Sequence, residues 1–457
     1  MLTFRDRPER CMSPPSPSKP LAQRAAFWLG IYVLLVIAPL GLLLLGERPR
    51  PGGFWWDFAL ALGYASLAMM GLQFALTARF KRATAPFGID LIYYFHRYLA
   101  SIATALLVAH ALILLLRFPA AVGRFEFVNL PIHMSAGWVG LFAFLALVAS
   151  SLWRKQLRLE YDRWRRVHVV LAVIGLAAAF VHVLGSASYL EAPWKYALWA
   201  GLGAFWLGLV LWVRGLRPLA LMRRPWKVVE VRRERGRSWT VAIEPEDGQG
   251  FDYRAGQFAW LSLRASPFAM REHPFSIASS PSRPGRLEFT IKELGDFTRT
   301  IGSLQPGERA WVDGPYGSFG VRGHEDAPGL VFIAGGVGIA PVMSLLRWLA
   351  DQKDTRPLWL FYGNRDIERI VFREELEALQ QRLSLKLVHV LGDPPDDWQG
   401  ERGFITAEVL NRHLPGQRDR LHYFVCGPEP MIRLSERSLD ALGVPLARLH
   451  SEIFDLA

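Results

Sequence analysis

Two pairs of histidines lie inside apolar stretches that are long enough to cross a lipid bilayer. His96 and His110 lie within Leu91–Leu116, and His168 and His182 lie within Val167–Leu184. Each pair is separated by 14 residues, from 96 to 110 and from 168 to 182. On an α-helix this spacing places both rings on nearly the same face, about 21 Å apart. Two facing helices of this kind would hold two flat ligands, one in each leaflet.

Haem is the flat ligand that best matches paired histidines. Imidazole offers a neutral nitrogen to each face of the iron and leaves no open coordination position, which is typical of an electron-transfer centre. The alternative is a set of buried, hydrogen-bonded helix contacts, which single intramembrane histidines often make. Ionisable groups in a bilayer are costly and usually functional. Two equally spaced pairs therefore predict that His96, His110, His168 and His182 ligate two haem b groups.

Hydropathy predicts six membrane spans. They are Phe27–Gly46, Trp55–Ala78, Leu91–Leu116, His133–Leu152, Val167–Leu184 and Trp194–Val213. Lys and Arg concentrate in residues 1–24, 79–82, 154–166 and 214–224. Because such residues mark cytoplasmic connections, both termini are predicted to be cytoplasmic. His96 then faces His168 near the cytoplasmic side, and His110 faces His182 near the outer side.

Charge and cysteine content exclude several classes of protein. The net charge of +12 arises from residues beside apolar spans, which indicates membrane topology and contact with anionic lipid rather than nucleic acid. Cys11 and Cys426 are the only cysteines, too few for a four-thiolate iron–sulfur cluster, and we expect no disulfide. Residues 1–24 are rich in Pro and Ser and predict a disordered cytoplasmic tail rather than a signal peptide.

The second half of the chain reads as a soluble protein. Short β-rich segments from Pro225 to about Gly323 predict a small antiparallel barrel, and alternating strands and helices from Gly329 predict a doubly wound parallel sheet. The predicted fold is therefore multi-domain: a six-helix transmembrane haem bundle, an antiparallel β-barrel domain and an α/β nucleotide-binding domain. The predicted ranges are 1–24 for the tail and 25–216, 222–324 and 325–457 for the domains.

Two glycine-containing turns suit a nucleotide. GGVGIAP (Gly335 to Pro341) follows a strand and opens a helix, and CGPEPM (Cys426 to Met431) ends a later strand. Glycines let the backbone approach a diphosphate, and a helix N-terminus offers free N–H groups. The first turn is not the usual dinucleotide fingerprint, so a purely structural turn is the alternative.

Two further segments suit a flavin. The stretch from Arg271 to Pro281, which contains HPFSIASSP, offers an aromatic ring beside hydroxyls and backbone amides. Lys292 to Ile301, KELGDFTRTI, adds a Gly and a Thr that would meet a diphosphate. A flavin needs a stacking face and a hydrogen bond near its reactive nitrogen. Ordinary barrel sequence is the alternative for each segment alone.

The motifs together resemble a known family. HPFSIAS, LGDFT, DGPYGSF, GGVGIAP, FYGNR, CGPEPM and SEIF occur in this order, as in the ferredoxin–NADP reductase-like superfamily. With the six spans and paired histidines, the chain resembles the prokaryotic NADPH oxidase and ferric reductase-like transmembrane proteins from about Phe27 to the C-terminus.

This resemblance implies cofactors and residue roles. FAD would contact Phe275 and Ser276, with His273 and Pro274 shaping its site and Gly295 and Thr298 at its diphosphate. NADPH, or NADH, would lie against Gly335, Gly336, Gly338, Pro341, Cys426, Gly427 and Pro428. Phe454 resembles the C-terminal aromatic that covers the flavin, so Phe454, Ser276 and Cys426 are the predicted catalytic residues. Arg365 would reach a 2′-phosphate and favour NADPH, or is a solvated loop charge.

The implied function is electron transfer from cytoplasmic NADPH through FAD and two haems to an outside acceptor. The favoured acceptor is O2, giving superoxide; the alternative is a ferric chelate or a partner protein. Oxygen-reducing animal members have a second histidine one turn beyond the outer haem ligand of the third span. This chain has Leu114 at that position, and its outer connection offers Arg117, Arg124 and His133 instead. A transporter or haem-binding module is the hypothesis from another class. The expected location is a bacterial inner membrane, with the basic segment Arg154 to Arg166 docking the reductase half or simply setting topology.

Overall fold

The computed structural model describes residues 19–46, 52–80, 89–122, 130–283 and 285–453. Phe454, Arg124 and the first 18 residues of the predicted tail lie outside this range. The helices of the first half are α1 Lys19–Leu43, α2 Phe54–Thr77, α3 Ile89–Arg117, α4 Pro119–Val122, α5 Ile132–Leu152, α6 Tyr161–Ser186, α7 Pro193–Leu211 and α8 Arg217–Met222. Within the described ranges, six helices are long and apolar enough to cross a membrane, as predicted.

Three helix boundaries differ from the sequence predictions. α1 begins at Lys19, inside the range predicted as tail. α6 begins at Tyr161 rather than at Val167, and the sixth span continues past α7 through a π-helical turn, Trp212–Leu216, into α8. Hydropathy marks only the part of a helix that suits hydrocarbon, whereas backbone hydrogen bonding continues through the charged residues beyond it.

The membrane helices pack as antiparallel neighbours, α2 with α3 and α5 with α6. Small residues let α5 and α6 approach closely. A Cβ on Gly140 would lie 3.4 Å from the carbonyl oxygen of Gly175, and one on Gly175 would lie 3.0 Å from the ring of Phe144. Such contacts replace the hydrophobic effect as the main source of helix association in lipid. α6 also lies beside α3, so the two histidine-bearing helices lie in one bundle.

An antiparallel sheet follows the bundle. Its strands are β1 Trp226–Glu234, β2 Ser238–Pro245, β3 Phe258–Leu263, β4 His273–Ser276, β5 Leu287–Lys292 and β6 Arg309–Tyr316, with the short helix α9 Asp296–Arg299 after β5. The strand order is β4-β3-β6-β1-β2-β5, and a bridge between Ile277 and Phe289 joins the two edges. The sheet therefore curls into the predicted small barrel around a core that includes Leu261, Ile277 and Phe289.

A parallel sheet with helices completes the chain. Its elements are β7 Leu330–Gly335, α10 Ile339–Asp351, β8 Leu358–Asn364, α11 Arg373–Leu379, β9 Leu385–Leu391, β10 Glu401–Arg402, α12 Ala407–His413, β11 His422–Gly427, α13 Glu429–Ala441 and β12 Leu449–Ile453. The order is β10-β9-β8-β7-β11-β12, and every pair is parallel. The predicted fold class is confirmed. The carboxyl ends of β7 and β11 are neighbours, which places both glycine-containing turns at one edge.

Candidate functional site

The four histidines meet in the two predicted pairs. The ring centres of His96 and His168 are 6.2 Å apart, and those of His110 and His182 are 6.5 Å apart. Two metal–nitrogen bonds of about 2 Å, plus about 1 Å from each nitrogen to its ring centre, give a separation of about 6 Å. The rings are therefore spaced to hold one metal ion between them at each level of the bundle.

The backbone sets the tautomer of the outer pair. Nδ1 of His110 lies 2.7 Å from the carbonyl oxygen of Ala59, and Nδ1 of His182 lies 2.9 Å from that of His133. A carbonyl oxygen only accepts, so each Nδ1 must carry the proton and donate it. Nε2 of each ring is left with its lone pair, which is the arrangement found where histidine ligates a metal.

Two glycines make these hydrogen bonds possible. A Cβ on Gly63 would lie 2.9 Å from Nδ1 of His110, and one on Gly137 would lie 2.8 Å from Nδ1 of His182. Any larger residue would push the ring away from its carbonyl partner. A cavity beside the outer pair is lined by apolar groups that include Met70 and Phe144. An apolar cavity beside two imidazoles with free Nε2 atoms is the chemical environment that a bis-histidine haem requires.

The inner pair is held differently. Nδ1 of His168 lies 3.2 Å from the hydroxyl of Ser151, which itself donates to the carbonyl oxygen of Leu147 at 2.7 Å. The serine oxygen therefore accepts from His168, and Nε2 is again free. Nδ1 of His96 is buried and has no hydrogen-bond partner among the described residues. In the inner pair, a hydrogen bond to Nδ1 therefore orients only the ring of His168, whereas both rings of the outer pair are oriented in this way.

The two flavin motifs lie against each other. Phe297 of the LGDFT segment stacks on His273, with ring centres 3.9 Å apart, and lies nearly parallel to Phe275 at 6.2 Å. Ser276 is buried, and its hydroxyl has no hydrogen-bond partner in the described part of the chain. Pro274 pairs with Trp260 in the ladder between β4 and β3. A buried hydroxyl beside aromatic rings suits a flavin's reactive nitrogen.

The turn at Gly295 has a local role as well. The hydroxyl of Thr298 accepts hydrogen bonds from the backbone N–H groups of Leu294 at 2.8 Å and of Gly295 at 2.9 Å. These bonds hold the loop between β5 and α9 in a tight turn. Sequence reasoning expected Gly295 and Thr298 at a diphosphate; in this structure they order the loop that carries Phe297.

The two nucleotide turns are in contact. A Cβ on Gly338 would lie 2.4 Å from the carbonyl oxygen of Cys426, and one on Gly427 would lie 3.1 Å from the backbone nitrogen of Gly335. Gly336 has φ +53°, a left-handed conformation that favours glycine. Pro341 is buried in the first turn of α10, and Pro428 precedes α13. The two turns are therefore closely packed against each other at the strand ends, and Gly336 and Pro428 are the predicted residues that are not buried.

Lys292 is a candidate that the sequence reasoning did not single out. Its ammonium group lies 3.9 Å from the position of a Cβ on Gly336, so the barrel presents a cation to the glycine-rich turn. Burial, together with the nearby Arg369 and Arg237, lowers the pKa of Lys292. The KE dipeptide before LGDFT was the only available signal. Arg365, in contrast, is exposed and ion-paired with Asp393 at 2.7 Å.

An ion-pair network joins the bundle to the barrel. Glu272, next to His273, pairs with Arg79 at 3.1 Å and more closely with Arg165, all three side chains being at most 14% exposed. Asp313 pairs with Arg217 at 2.8 Å and lies 3.7 Å from Arg79. Arg165 belongs to the basic segment that was expected to dock the reductase half. The acidic partners Glu272 and Asp313 were not anticipated.

The electrostatics and packing of this junction favour the docked arrangement. Burial alone raises the pKa of Glu272, but the guanidinium groups of Arg165 and Arg79 outweigh burial and lower it from 4.5 to about 2. The guanidinium of Arg79 also lies 3.5 Å above the ring of Trp260, which pairs with Pro274 of the flavin segment. A desolvated cation over an indole is a favourable contact. The junction therefore ties the flavin motif directly to the ends of the membrane helices that carry Arg79 and Arg165.

Family comparisons match three consecutive parts of the chain. Residues 62–179 match the ferric reductase like transmembrane component, residues 229–319 match an FAD-binding domain, and residues 332–437 match an oxidoreductase NAD-binding domain. The first range includes His96, His110 and His168 and ends three residues before His182, and the other two ranges include the flavin and nucleotide motifs. These matches support an oxidoreductase rather than a transporter.

Among curated relatives, ferredoxin–NADP reductase B of Sorangium cellulosum is 33% identical over 47% of this chain and 91% of its own length. The stachydrine N-demethylase reductase subunit Stc4 of Rhizobium meliloti is 31% identical over 47% of this chain, which spans only 62% of that relative. Among solved structures, the ferredoxin reductase in carbazole 1,9a-dioxygenase has a TM-score of 0.45 and 26% identity, over 50% of this chain and 69% of its own. The chain therefore belongs to the ferric reductase-like and NADPH oxidase type of integral membrane oxidoreductase, in which a ferric reductase-like transmembrane domain is joined to a ferredoxin–NADP reductase-like FAD and NAD(P)H module.

Proposed function

We propose that this protein carries electrons from cytoplasmic NADPH through FAD and two bis-histidine haems to O2 on the outer side of the membrane, giving superoxide. The observation that carries the proposal is the pairing of His96 with His168 and of His110 with His182 at 6.2 and 6.5 Å. NAD(P)H-dependent electron transfer follows from the family. The two haems, the direction of electron transfer across the membrane and the identity of the acceptor are proposed here.

The bundle residues suit the task of holding the two haems. His96, His110, His168 and His182 would supply the axial nitrogens. Hydrogen bonds to backbone carbonyls keep Nε2 of the outer rings available, and Ser151 does the same for His168. Bound haem accepts and releases one electron at a time without leaving its ligands. Two such centres divide the ~30 Å apolar core into short transfers.

The reductase residues suit hydride transfer. Flavin is needed because NADPH gives two electrons at once whereas a haem takes one. The buried hydroxyl of Ser276 would hydrogen-bond a reactive flavin nitrogen beside the face of Phe275, and His273 and Pro274 would shape the pocket. Phe454, outside the described residues, is proposed to cover the flavin and to move aside for the nicotinamide.

The proposed nucleotide site depends on the close approach of the backbone of two glycine-containing turns to the dinucleotide. The turns at Gly335, Gly336, Gly338 and Pro341 and at Cys426, Gly427 and Pro428 would take the diphosphate and nicotinamide. Lys292 would neutralise phosphate charge from the barrel side, while Gly295 and Thr298 would order the loop at the FAD diphosphate. Arg365 would leave Asp393 to meet a 2′-phosphate, which favours NADPH; NADH is the competing donor.

The proposed location is a bacterial inner membrane, with both termini and the reductase half in the cytoplasm. The charged residues support this orientation: Arg79, Arg165 and Arg217 all lie at the helix ends that contact the barrel. The outer pair then opens toward the extracytoplasmic side.

A ferric chelate or a partner protein is the second candidate acceptor. Leu114 occupies the position one turn beyond His110, so no imidazole is offered there. His133 instead packs against Gly185. A Cβ on Gly185 would lie 2.4 Å from the Cβ of His133. An acceptor that needs only the haem edge, and no imidazole from the third span, is compatible with this arrangement.

Stopped-flow absorbance of the detergent-purified protein tests the proposal. The protein is reduced anaerobically with NADPH and then mixed with oxygen, a ferric chelate or buffer. Rapid oxidation of the haem bands by oxygen, with dye reduction that superoxide dismutase suppresses, is the expected result. Rapid oxidation only by the chelate would move the proposal to its second acceptor. Absence of a haem spectrum from the fully assembled protein would refute the histidine pairing as haem ligation.

A further inference from the structure

Three histidines converge at the edge of the parallel sheet opposite the nucleotide turns. His422 begins β11, His450 lies near the start of β12, and His324 lies in the connection between β6 and β7. One ring nitrogen from each lies within 4.8 Å of the other two. Because β11 and β12 are parallel, their amino ends lie together at one end of the strands, and Gly427 lies at the other end. The cluster is therefore separate from the predicted nucleotide surface.

The spacing of these nitrogens is close to that of a metal centre. Nδ1 of His422 lies 3.1 Å from Nε2 of His450. Ligand nitrogens at about 2 Å from a tetrahedral zinc are about 3.3 Å apart. The ring of His324 already lies against the other two, at 4.0 Å from His422 and 4.5 Å from His450 between ring centres. His324, on an interdomain connection, must shift to complete the geometry, because its ring is stacked on that of His422.

The protonation state suits ligation. Burial and the neighbouring His324 and Arg448 lower the pKa of His422 to about 4. Burial, with His324 and His422, lowers the pKa of His450 to about 3. Burial also lowers the pKa of His324, although Glu325 opposes this change. A lowered pKa favours the neutral imidazole, which is the form that ligates a metal.

We propose that His324, His422 and His450 form a binding site for a first-row divalent transition metal, with zinc as the natural occupant and water in the fourth position. Imidazole is a preferred ligand of this class of metal. The bound ion fastens the connection between the two soluble domains to the edge strand of the sheet. No electron transfer is assigned to it.

Arg448 makes the proposal sharply testable. Its Nη1 lies 2.5 Å from Nε2 of His422 and donates to it, so that nitrogen carries no proton. Nδ1 of His422 then carries the proton and donates to His450. Metal binding through Nδ1 requires the other tautomer, with the proton on Nε2, and Arg448 must turn away. The arginine therefore competes with the metal.

Replacing this arginine by glutamine should tighten binding. The side-chain oxygen of Gln accepts a hydrogen bond from Nε2–H and holds the metal-binding tautomer, and the substitution also removes a positive charge. Residues that orient a ligating histidine typically change metal affinity by about 10- to 100-fold. We expect Arg448→Gln to lower the dissociation constant for Co2+ at least tenfold. A packing role for the three rings predicts no such gain.

The experiment uses the full chain in detergent, loaded with FAD and haem and freed of any polyhistidine tag. Chelator-treated protein is titrated with Zn2+ in a calorimeter and with Co2+ by difference absorbance against the haem background. One equivalent should bind to the parent chain, be lost in His324→Ala and His450→Ala, and be retained in His413→Ala. His413 is the matched control because it lies in the same domain and pairs instead with Glu401 at 2.7 Å.

Several outcomes decide the question. Binding that is equal in the parent and in His324→Ala would overturn the site, as would failure of Arg448→Gln to bind more tightly. His324 lies in a connection, so its variant is expected to fold, and NADPH-driven ferricyanide reduction verifies this. Loss of metal binding with ferricyanide reduction intact supports the proposal. Absence of any bound equivalent in both the parent and Arg448→Gln would refute it.

Discussion

Neutralising Glu272 should uncouple the reductase half from the membrane half without harming either. Glu272→Gln keeps the size of the side chain but leaves Arg79 and Arg165 without their shared carboxylate. The fall in the pKa of Glu272 from 4.5 to about 2 corresponds to about 3 kcal/mol in favour of its charged form. Breaking a buried ion pair typically costs about 3–5 kcal/mol, which agrees. At 1.4 kcal/mol per factor of ten, the docked arrangement becomes about 10²-fold less favoured.

The assay separates docking from flavin chemistry. NADPH-driven haem reduction, followed anaerobically by stopped-flow absorbance, should slow at least tenfold in Glu272→Gln. NADPH-driven reduction of ferricyanide should stay within about twofold of the parent, because it needs only the flavin site. Glu374→Gln is the control, since it removes the same charge from an exposed pair with Arg235. Unchanged haem reduction in Glu272→Gln would refute the network as the docking contact.

The same carboxylate predicts a pH dependence. Because the folded-state pKa of Glu272 is lowered, its contribution is fully present above about pH 4.5 and is lost as the pH falls toward 2. The ratio of haem reduction to ferricyanide reduction in the parent chain should therefore stay constant between pH 8 and about 5. A decline of that ratio within this window would show that another group controls docking.

Three further substitutions test the cofactor sites. Gly63→Ala places a Cβ 2.9 Å from the outer histidine and should lower haem from two to one per chain in a pyridine haemochrome assay, whereas Gly201→Ala, which faces open space, should keep both. Ser276→Ala removes the buried hydroxyl and should slow flavin reduction by NADPH about tenfold while FAD content is retained. Gly338→Ala meets a backbone carbonyl at 2.4 Å and should raise the KM for NADPH at least tenfold, whereas Gly416→Ala should not. Unchanged haem content, flavin reduction or KM in the respective variant would contradict each assignment.

The histidine pairs were predictable because they depend on local geometry. The 14-residue spacing follows from the helical repeat, and the charged connections set which ends face each other. The tautomers were not predictable, because they depend on where α2 and α5 present a carbonyl. Gly63 and Gly137 carried no separate signal in the sequence, since glycine is common in membrane helices. Their role is visible only when each lies against Nδ1 of a histidine.

In the soluble half, too, some features could be predicted from the sequence and others could not. Strand alternation and the glycine-rich turns predicted the two sheets and the meeting of β7 with β11, because parallel sheets bring successive turns to one edge. The three-histidine cluster was not predictable, since His324, His422 and His450 are far apart in sequence and none belongs to a motif. Lys292 lies within the KELGDFTRTI motif, yet only the contact between the barrel and the glycine-rich turn gives it a role.

The docking contact shows why flavin site and membrane junction are built from one segment. Glu272 immediately precedes His273, so the strand that presents Ser276 to the flavin site also carries the carboxylate held by Arg79 and Arg165. The neighbouring strand holds this region as well, since its Trp260 pairs with Pro274 and lies under Arg79. Any change that shifts the barrel relative to the helices must therefore also move the flavin segment. Since His168 of the inner pair lies on the same helix as Arg165, three residues after it, the position of the flavin segment relative to the inner histidine pair is set by these few contacts rather than by a flexible linker.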